Sequence, residues 1–204
     1  MIARLPRWSP GQRIGLLGGT FNPPHEGHRL ISLFALKRLR LDRVWWLVTP
    51  GNPLKHHQGL PPLAERVAAA RAAAHDPRIA ATGIEAEIGA HFTADTIDYL
   101  RRHASGAHFV WIMGADNLRQ LHLWRRWRAI VSGVPIAVID RPGSTLKAQN
   151  SLAGAYLAKF RVGETGAARF ADRRPPAFIF LHGPRSKLSS SAIRRRGGTI
   201  RSAC

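Results

Sequence analysis

Short apolar runs alternate along the chain with longer stretches whose apolar residues recur every three or four positions. RIGLLG (13–18), RVWWLVTP (43–50), IAATGIEAEI (79–88), HFVWIMG (108–114), VPIAVID (134–140) and AFIFLH (177–182) are compact enough and β-branched or aromatic enough to predict buried strands. Between them, HRLISLFALKRLR (28–40), the alanine-rich LAERVAAARAAAHD (63–76) and TADTIDYLRRHA (93–104) carry helical spacing, the last with Thr93 as its expected cap and Asp95 in its first turn. LRQLHLWRRWRAI (118–130) predicts a further helix, and SSSAIRRR (189–196) a short final one. Residues 141–175 are the least patterned and are expected to be partly irregular. Strand and helix in regular alternation predict a doubly wound, Rossmann-like α/β fold, a parallel sheet covered on both faces by right-handed crossovers. Ligands of such folds sit beyond the carboxyl ends of the strands, where the strand order reverses.

Composition narrows the class. A chain of 204 residues fits one domain with a real core, taken here as 13–204 behind a basic extension over 1–12. No long apolar run suggests a membrane span, and MIARLPRWSPGQR lacks the apolar stretch of a secretory signal. The single cysteine, Cys204, excludes an intrachain disulfide and makes a cytoplasmic location the expectation. Charge adds a rival reading: 31 Lys and Arg against 12 Asp and Glu leave +19, which attracts polyanions and admits a basic nucleic-acid-binding module. The basic residues are scattered, however, and no helix-turn-helix, RNA-recognition or zinc-finger pattern accompanies them, so nucleic acid is not the expected partner.

The chemistry concentrates in GLLGGTFNPPHEGH (15–28), between the first strand and the first helix. Gly18 and Gly19 permit close backbone approach, and their N–H groups with those of Thr20 and Phe21 can cradle a phosphate at the helix N-terminus. The string has neither the spacing of a dinucleotide loop nor the Gly-Lys-Ser/Thr of a Walker loop. His25 and His28, at i and i+3, share one side of a helical turn. They read as donors to phosphate oxygens, as histidines satisfied by backbone, or as metal ligands; the last wants a third partner and the HExxH spacing that HEGH lacks. Near the other end, Ser189, Ser190 and Ser191 with Arg194 make either a serine cap before a basic helix or a site for terminal phosphates.

GGTFNPPHEGH resembles the GTFDPxHxGH signature of the nucleotidyltransferase superfamily, and SSSAIR (189–194) resembles its second element, S-S-T-x-I-R. Three intervening segments are similar to the nicotinate-nucleotide adenylyltransferase branch: PGNPLKHH (50–57) to P-x-x-P-x-K, HFTADTIDYL (91–100) to Y-T-x-D-T-L, and GADNLRQLHLWRRW (114–127) to G-x-D-x-L followed by Trp. Asn22 stands where the family often has Asp, Ser191 where it has Thr, and Arg125 where several relatives have an aromatic.

The resemblance implies an enzyme that transfers the adenylyl group of ATP to nicotinate mononucleotide, giving nicotinate adenine dinucleotide and pyrophosphate in NAD biosynthesis. The alternatives are nicotinamide mononucleotide or another phosphate ester, such as phosphopantetheine, as acceptor. It implies direct in-line attack with no covalent enzyme intermediate, catalysed by His25, His28 and Arg194, with Gly18, Gly19, Thr20, Phe21, Lys55, Ser189, Ser190 and Ser191 on ATP and its phosphates. Lys55 is equally readable as a solvated loop lysine. The nicotinate ring and carboxylate fall to Trp124 and to the backbone near Thr93 and Arg125, with Asp116 facing the ligand; from the residues alone Trp124 could be a core aromatic beside Trp127, and Asp116 a helix N-cap. Mg²⁺ is expected to come with ATP, because no Asp/Glu cluster offers a cage, and no residue is assigned to metal. A homo-oligomer is compatible with the sequence.

Overall fold

The computed structural model describes residues 4–51, 60–140 and 148–183. Its centre is a seven-stranded, all-parallel sheet in the order β3-β2-β1-β4-β5-β7-β6. The strands are β1 (Arg13–Gly19), β2 (Arg43–Val48), β3 (Ile79–Thr82), β4 (His108–Gly114), β5 (Ile136–Ile139), β6 (Arg161–Val162) and β7 (Phe178–Leu181). The order runs outward in both directions from the β1–β4 pair, so the switch point lies between the ends of those two strands. Both faces are covered. Leu16, Trp45, Leu47, Phe109, Trp111 and Met113 form one apolar layer, while Val44, Trp46, Val48, Val110 and Ile112 point into the other, which is the period-two alternation of the pleat.

The helices are α1 (Glu26–Arg38), α2 (Leu63–Ala74), α3 (Ile84–Glu87), α4 (Thr93–His103), α5 (Ala115–Gln120), α6 (Trp127–Gly133) and α7 (Leu152–Ala158). Among the described residues none is long and apolar enough to cross a membrane.

Several expectations need correcting. The strand expected over 79–88 stops at Thr82; Gly83 turns the chain and Ile84–Glu87 is a helical turn. An apolar run of that length reads equally as strand or buried helix, and a glycine inside it decided between them. Thr93 is the first residue of α4, and its N-cap is Phe92 in an extended conformation with no side-chain cap. The helix expected over 118–130 is broken: α5 passes into a 3₁₀ turn at Leu121–Leu123, Trp124 is extended, and α6 restarts after Arg126 at φ 55°. Within 141–175, expected to be partly irregular, residues 148–172 hold α7, β6 and a 3₁₀ helix over Glu164–Asp172. Phe170 and Ala171 anchor that 3₁₀ helix in the core.

Candidate active site at the β1–β4 switch point

Gly18 and Gly19 end β1, paired with Leu47 and Val48 of β2, so the strand expected over 13–18 runs one residue further. Gly18 answers to packing, since a methyl group there would lie 3.0 Å from the ring of Trp111. The chain leaves the sheet at Thr20, and Phe21 takes φ 47°, a left-handed conformation that an aromatic residue holds only when its surroundings fix it. The surroundings are the core: Phe21 is 1% exposed, stacks on Trp46 at 5.0 Å, and lies 4.6 Å from the ring of His28. Phe21 therefore has only its backbone to offer a ligand, while its side chain props the histidine.

His25 is the N-cap of α1 and His28 its third residue, which brings the ring centroids to 3.9 Å. The backbone N–H of His25 donates to Nδ1 of His28 at 3.2 Å. A ring nitrogen that accepts carries no proton, so in neutral His28 the proton sits on Nε2, and that edge is a donor. The backbone beneath is tied as well. Trp46 Nε1 donates to Ser32 Oγ and Ser32 Oγ to the His28 carbonyl, both at 2.8 Å. Local sequence thus builds an imidazole of fixed tautomer at a helix N-terminus, whose positive dipole end favours an anion.

On the other side of the switch point, β4 ends at Gly114 and enters α5. Gly114 is the cap, so Asp116 is not the N-cap considered from the sequence; it lies exposed in the first turn of α5. A methyl group at Gly114 would collide with the Asp116 carboxylate. Trp124 and Trp127 touch the same core but differ in burial. Trp127 is a core residue edge-on to Tyr156 at 5.1 Å, whereas Trp124 stands half-buried in the break between helices, edge-on to Trp111 at 6.2 Å.

That break is pinned to the start of α4. The guanidinium of Arg125 lies 4.9 Å over the ring of Phe92, and Arg126 pairs with Asp95 at 3.2 Å and Asp98 at 2.9 Å. Trp124, Arg125 and the first N–H groups of α4 at Thr93 and Ala94 are thereby brought to one neighbourhood. Lys55, Ser189, Ser190, Ser191 and Arg194 lie outside the described residues. Among the described residues no three His, Cys, Asp or Glu side chains converge as a metal site.

Two buried charged residues beside the site drew no assignment from the sequence. Arg66 of α2, 4% exposed, donates to four backbone carbonyls: Pro61 at 2.9 Å, Thr20 at 3.0 Å, Thr49 at 2.7 Å and Pro50 at 3.1 Å. Glu85 of α3, 7% exposed, accepts from Thr96 Oγ1 at 3.1 Å.

Desolvation raises the Glu85 pKa above its usual 4.5, against the hydrogen bond from Thr96, which lowers it. The folded chain then holds a proton that the unfolded chain releases, so this group's contribution is fully present below about pH 4.5 and is lost as pH rises towards the raised value. Glu85→Gln keeps a donor and an acceptor without titrating. Its melting temperature should gain on the wild type's as pH rises from 5 to 8; parallel melting curves across that range would contradict the raised pKa.

Comparison with known proteins follows the same geometry. The Cytidylyltransferase-like family profile matches residues 16–196. A Bradyrhizobium sp. (strain ORS 278) protein named as a probable nicotinate-nucleotide adenylyltransferase is 60% identical over 190 residues, covering 93% of this chain and 99% of its own length. A Methylorubrum extorquens protein with the same name is 60% identical over 184 residues, 90% of this chain and 100% of its own. The Brucella abortus (strain 2308) protein of that name is 50% identical over 182 residues, 89% and 94% of the two chains. Among solved structures, the Plasmodium falciparum nicotinic acid mononucleotide adenylyltransferase complexed with NaAD superposes with a TM-score of 0.66 at 14% identity, covering 93% of this chain and 85% of that one. At that identity the likeness concerns the fold.

Proposed function

The chain belongs to the nicotinate-nucleotide adenylyltransferase family of cytidylyltransferase-like proteins, and from that premise we propose that it transfers the adenylyl group of ATP to nicotinate mononucleotide, releasing pyrophosphate in NAD biosynthesis. The observation that carries the reading is the locked imidazole: His28 presents an Nε2–H donor at the N-terminus of α1, beside the end of β1 and opposite the start of α5.

The acceptor brings its own nucleophile, an oxygen of its 5′-phosphate, so attack on the α-phosphorus needs no protein nucleophile and no covalent enzyme intermediate. What the chain supplies is position and electrostatic stabilisation. His28 Nε2–H donates to the α-phosphate as charge builds on its equatorial oxygens, His25 holds His28 in register, and the N–H groups at the start of α1 face the phosphates. Gly18, Gly19 and Thr20 bring backbone to the phosphates, and Lys55, the serines 189–191 and Arg194 are assigned to the leaving pyrophosphate by their motifs. On the acceptor side Trp124 gives the nicotinate ring an aromatic face, the N–H groups near Thr93 and Arg125 hold its carboxylate, and Asp116 faces the ligand from the β4 side. Mg²⁺ would arrive with ATP, held by its phosphates and water.

A parallel assay of pyrophosphate release with nicotinate mononucleotide, nicotinamide mononucleotide and phosphopantetheine tests the acceptor. The highest kcat/KM is expected for the acid mononucleotide, and a higher value for either competitor would move the chain to that acceptor. The Trp124 segment gives a second test. Exposed ion pairs are worth about 0.2–1 kcal/mol each, so Arg126→Ala should leave the melting temperature nearly unchanged. It should nonetheless raise KM for the mononucleotide by about two- to fivefold, because Trp124 is no longer moored to α4. An unchanged KM would mean that those pairs do not position Trp124.

A further inference from the structure

The β3 edge of the sheet carries positive charge that adenylyl transfer does not use. β2 and β1 lie between that edge and the switch point, and a cleft of about 490 Å³ runs between β3 and the N-terminal segment 4–7. Four arginines line it: Arg4 and Arg7 from the segment, Arg43 from the start of β2 and Arg71 from the last turn of α2. Among the described residues no Asp or Glu joins that lining, and none of the four arginines forms an ion pair, unlike Arg13, Arg29, Arg38, Arg78 and Arg126. Arg43 Nε is covered from solvent and has no hydrogen-bond acceptor among the described residues. The segment is held in place, since Leu5 and Trp8 pack on the core and the Arg4 N–H donates to Glu87 Oε2 at 3.2 Å. Arg71 is held as well, its Nε donating to the Ala81 carbonyl at 3.1 Å.

We propose that this cleft is a second anion site, separate from the phosphate loop after β1, and that it takes a nucleoside polyphosphate. Like charges around one cleft repel, and a covered N–H without an acceptor is costly; an anion with several acceptor oxygens relieves both. Guanidinium suits the task, because it presents paired donors to phosphate oxygens. One phosphate carries at most about two negative charges, so four guanidiniums call for a chain of phosphates. The cleft falls within the size range of small-molecule sites, about 300–1,000 Å³, and Leu5, Pro6 and Ala80 give it an apolar wall for a base. The basic groups converge on one cleft instead of tracking a groove, which favours a small ligand over a nucleic-acid strand. An arginine in the last turn of α2 also complements the helix dipole. That accounts for Arg71 alone, and neither for the covered Nε of Arg43 nor for the two arginines that the packed segment brings to the same place.

The site does not depend on the adenylyltransferase reading, so the two fail separately: pyrophosphate release judges the function, and local protection judges the cleft. The probes are inorganic tripolyphosphate and GTP, both without Mg²⁺, and the readout is amide hydrogen exchange followed against probe concentration. Wild type is compared with Arg43→Gln/Arg71→Gln and Arg4→Gln/Arg7→Gln. Arg173→Gln/Arg174→Gln removes as much charge from an exposed stretch elsewhere and controls for the general basicity of the chain.

In wild type, tripolyphosphate should slow exchange at residues 4–8 and 79–82, separately from any effect at the phosphate loop, and GTP should do so at a lower concentration because its base adds contact with the apolar wall. Each of the two cleft variants should need about tenfold more probe for the same protection, the control pair no more than about twofold more. Protection of the phosphate loop should be the same in all four proteins. Should Arg43→Gln/Arg71→Gln fail to fold, Arg4→Gln/Arg7→Gln decides, since its residues lie outside the sheet. No slowing at 4–8 and 79–82 in wild type would overturn the proposal, as would equal weakening in the control pair, which marks a diffuse charge effect. GTP weaker than tripolyphosphate would overturn the nucleoside assignment, and protection by a short single-stranded oligonucleotide but not by either probe would overturn the small-molecule one.

Discussion

Replacing His28 by alanine should lower kcat by about 10² to 10³ while leaving the chain folded. Loss of one preordered donor to a developing oxyanion costs about 2.7–4 kcal/mol, and His28 is preordered by local contacts, with the His25 N–H on Nδ1 and Phe21 against the ring. The side chain is half-buried, and the Ser32 and Trp46 bonds below it run to its backbone carbonyl, so truncation leaves that chain in place. The loss should fall on kcat rather than KM, since the donor is worth most when charge accumulates in the transition state. An asparagine, with a donor on a shorter arm, should recover only part of the rate. Near-normal kcat in folded His28→Ala would remove His28 from the chemistry.

Trp124→Ala should raise KM for nicotinate mononucleotide by about tenfold or more, with KM for ATP little changed. Stacking of a flat ring on an aromatic side chain is worth about 1–3 kcal/mol, which spans roughly five- to 150-fold. The structure separates this effect from unfolding, because Trp124 is half-buried in an extended break and Trp127 carries the neighbouring core contact. Trp127→Ala is the control. It should lower the melting temperature in the manner of a large-to-small core substitution, with no selective effect on one substrate. Equal rises in both KM values for Trp124→Ala would return Trp124 to the core.

Much of the scaffold was legible because parallel strands buried on both faces read as continuous apolar runs, and RIGLLG, RVWWLV and HFVWIMG are such runs. The histidine loop was legible as a motif, though not the tautomer that the His25 N–H imposes on His28, which depends on the extended backbone at the cap. The break at Trp124 was hidden. Its spacing continues the helical pattern, yet the chain leaves the helix at extended Trp124 and restarts only after Arg126, a left-handed residue held by carboxylates 28 and 31 residues away in sequence. Arg66 was readable in hindsight, as a charged residue in register with Ala70 and Ala74 on the buried face of α2. Glu85 was not, because IAATGIEAEI presents as a strand, and a strand assignment puts that carboxylate in the wrong surroundings.

The most direct test is to mix the purified chain with ATP, Mg²⁺ and nicotinate mononucleotide and to identify the products by mass. The account predicts nicotinate adenine dinucleotide and pyrophosphate in equal amounts, with dinucleotide formation falling by about two to three orders of magnitude in His28→Ala. ATP consumed without dinucleotide, or dinucleotide formed equally well by wild type and His28→Ala, would contradict it.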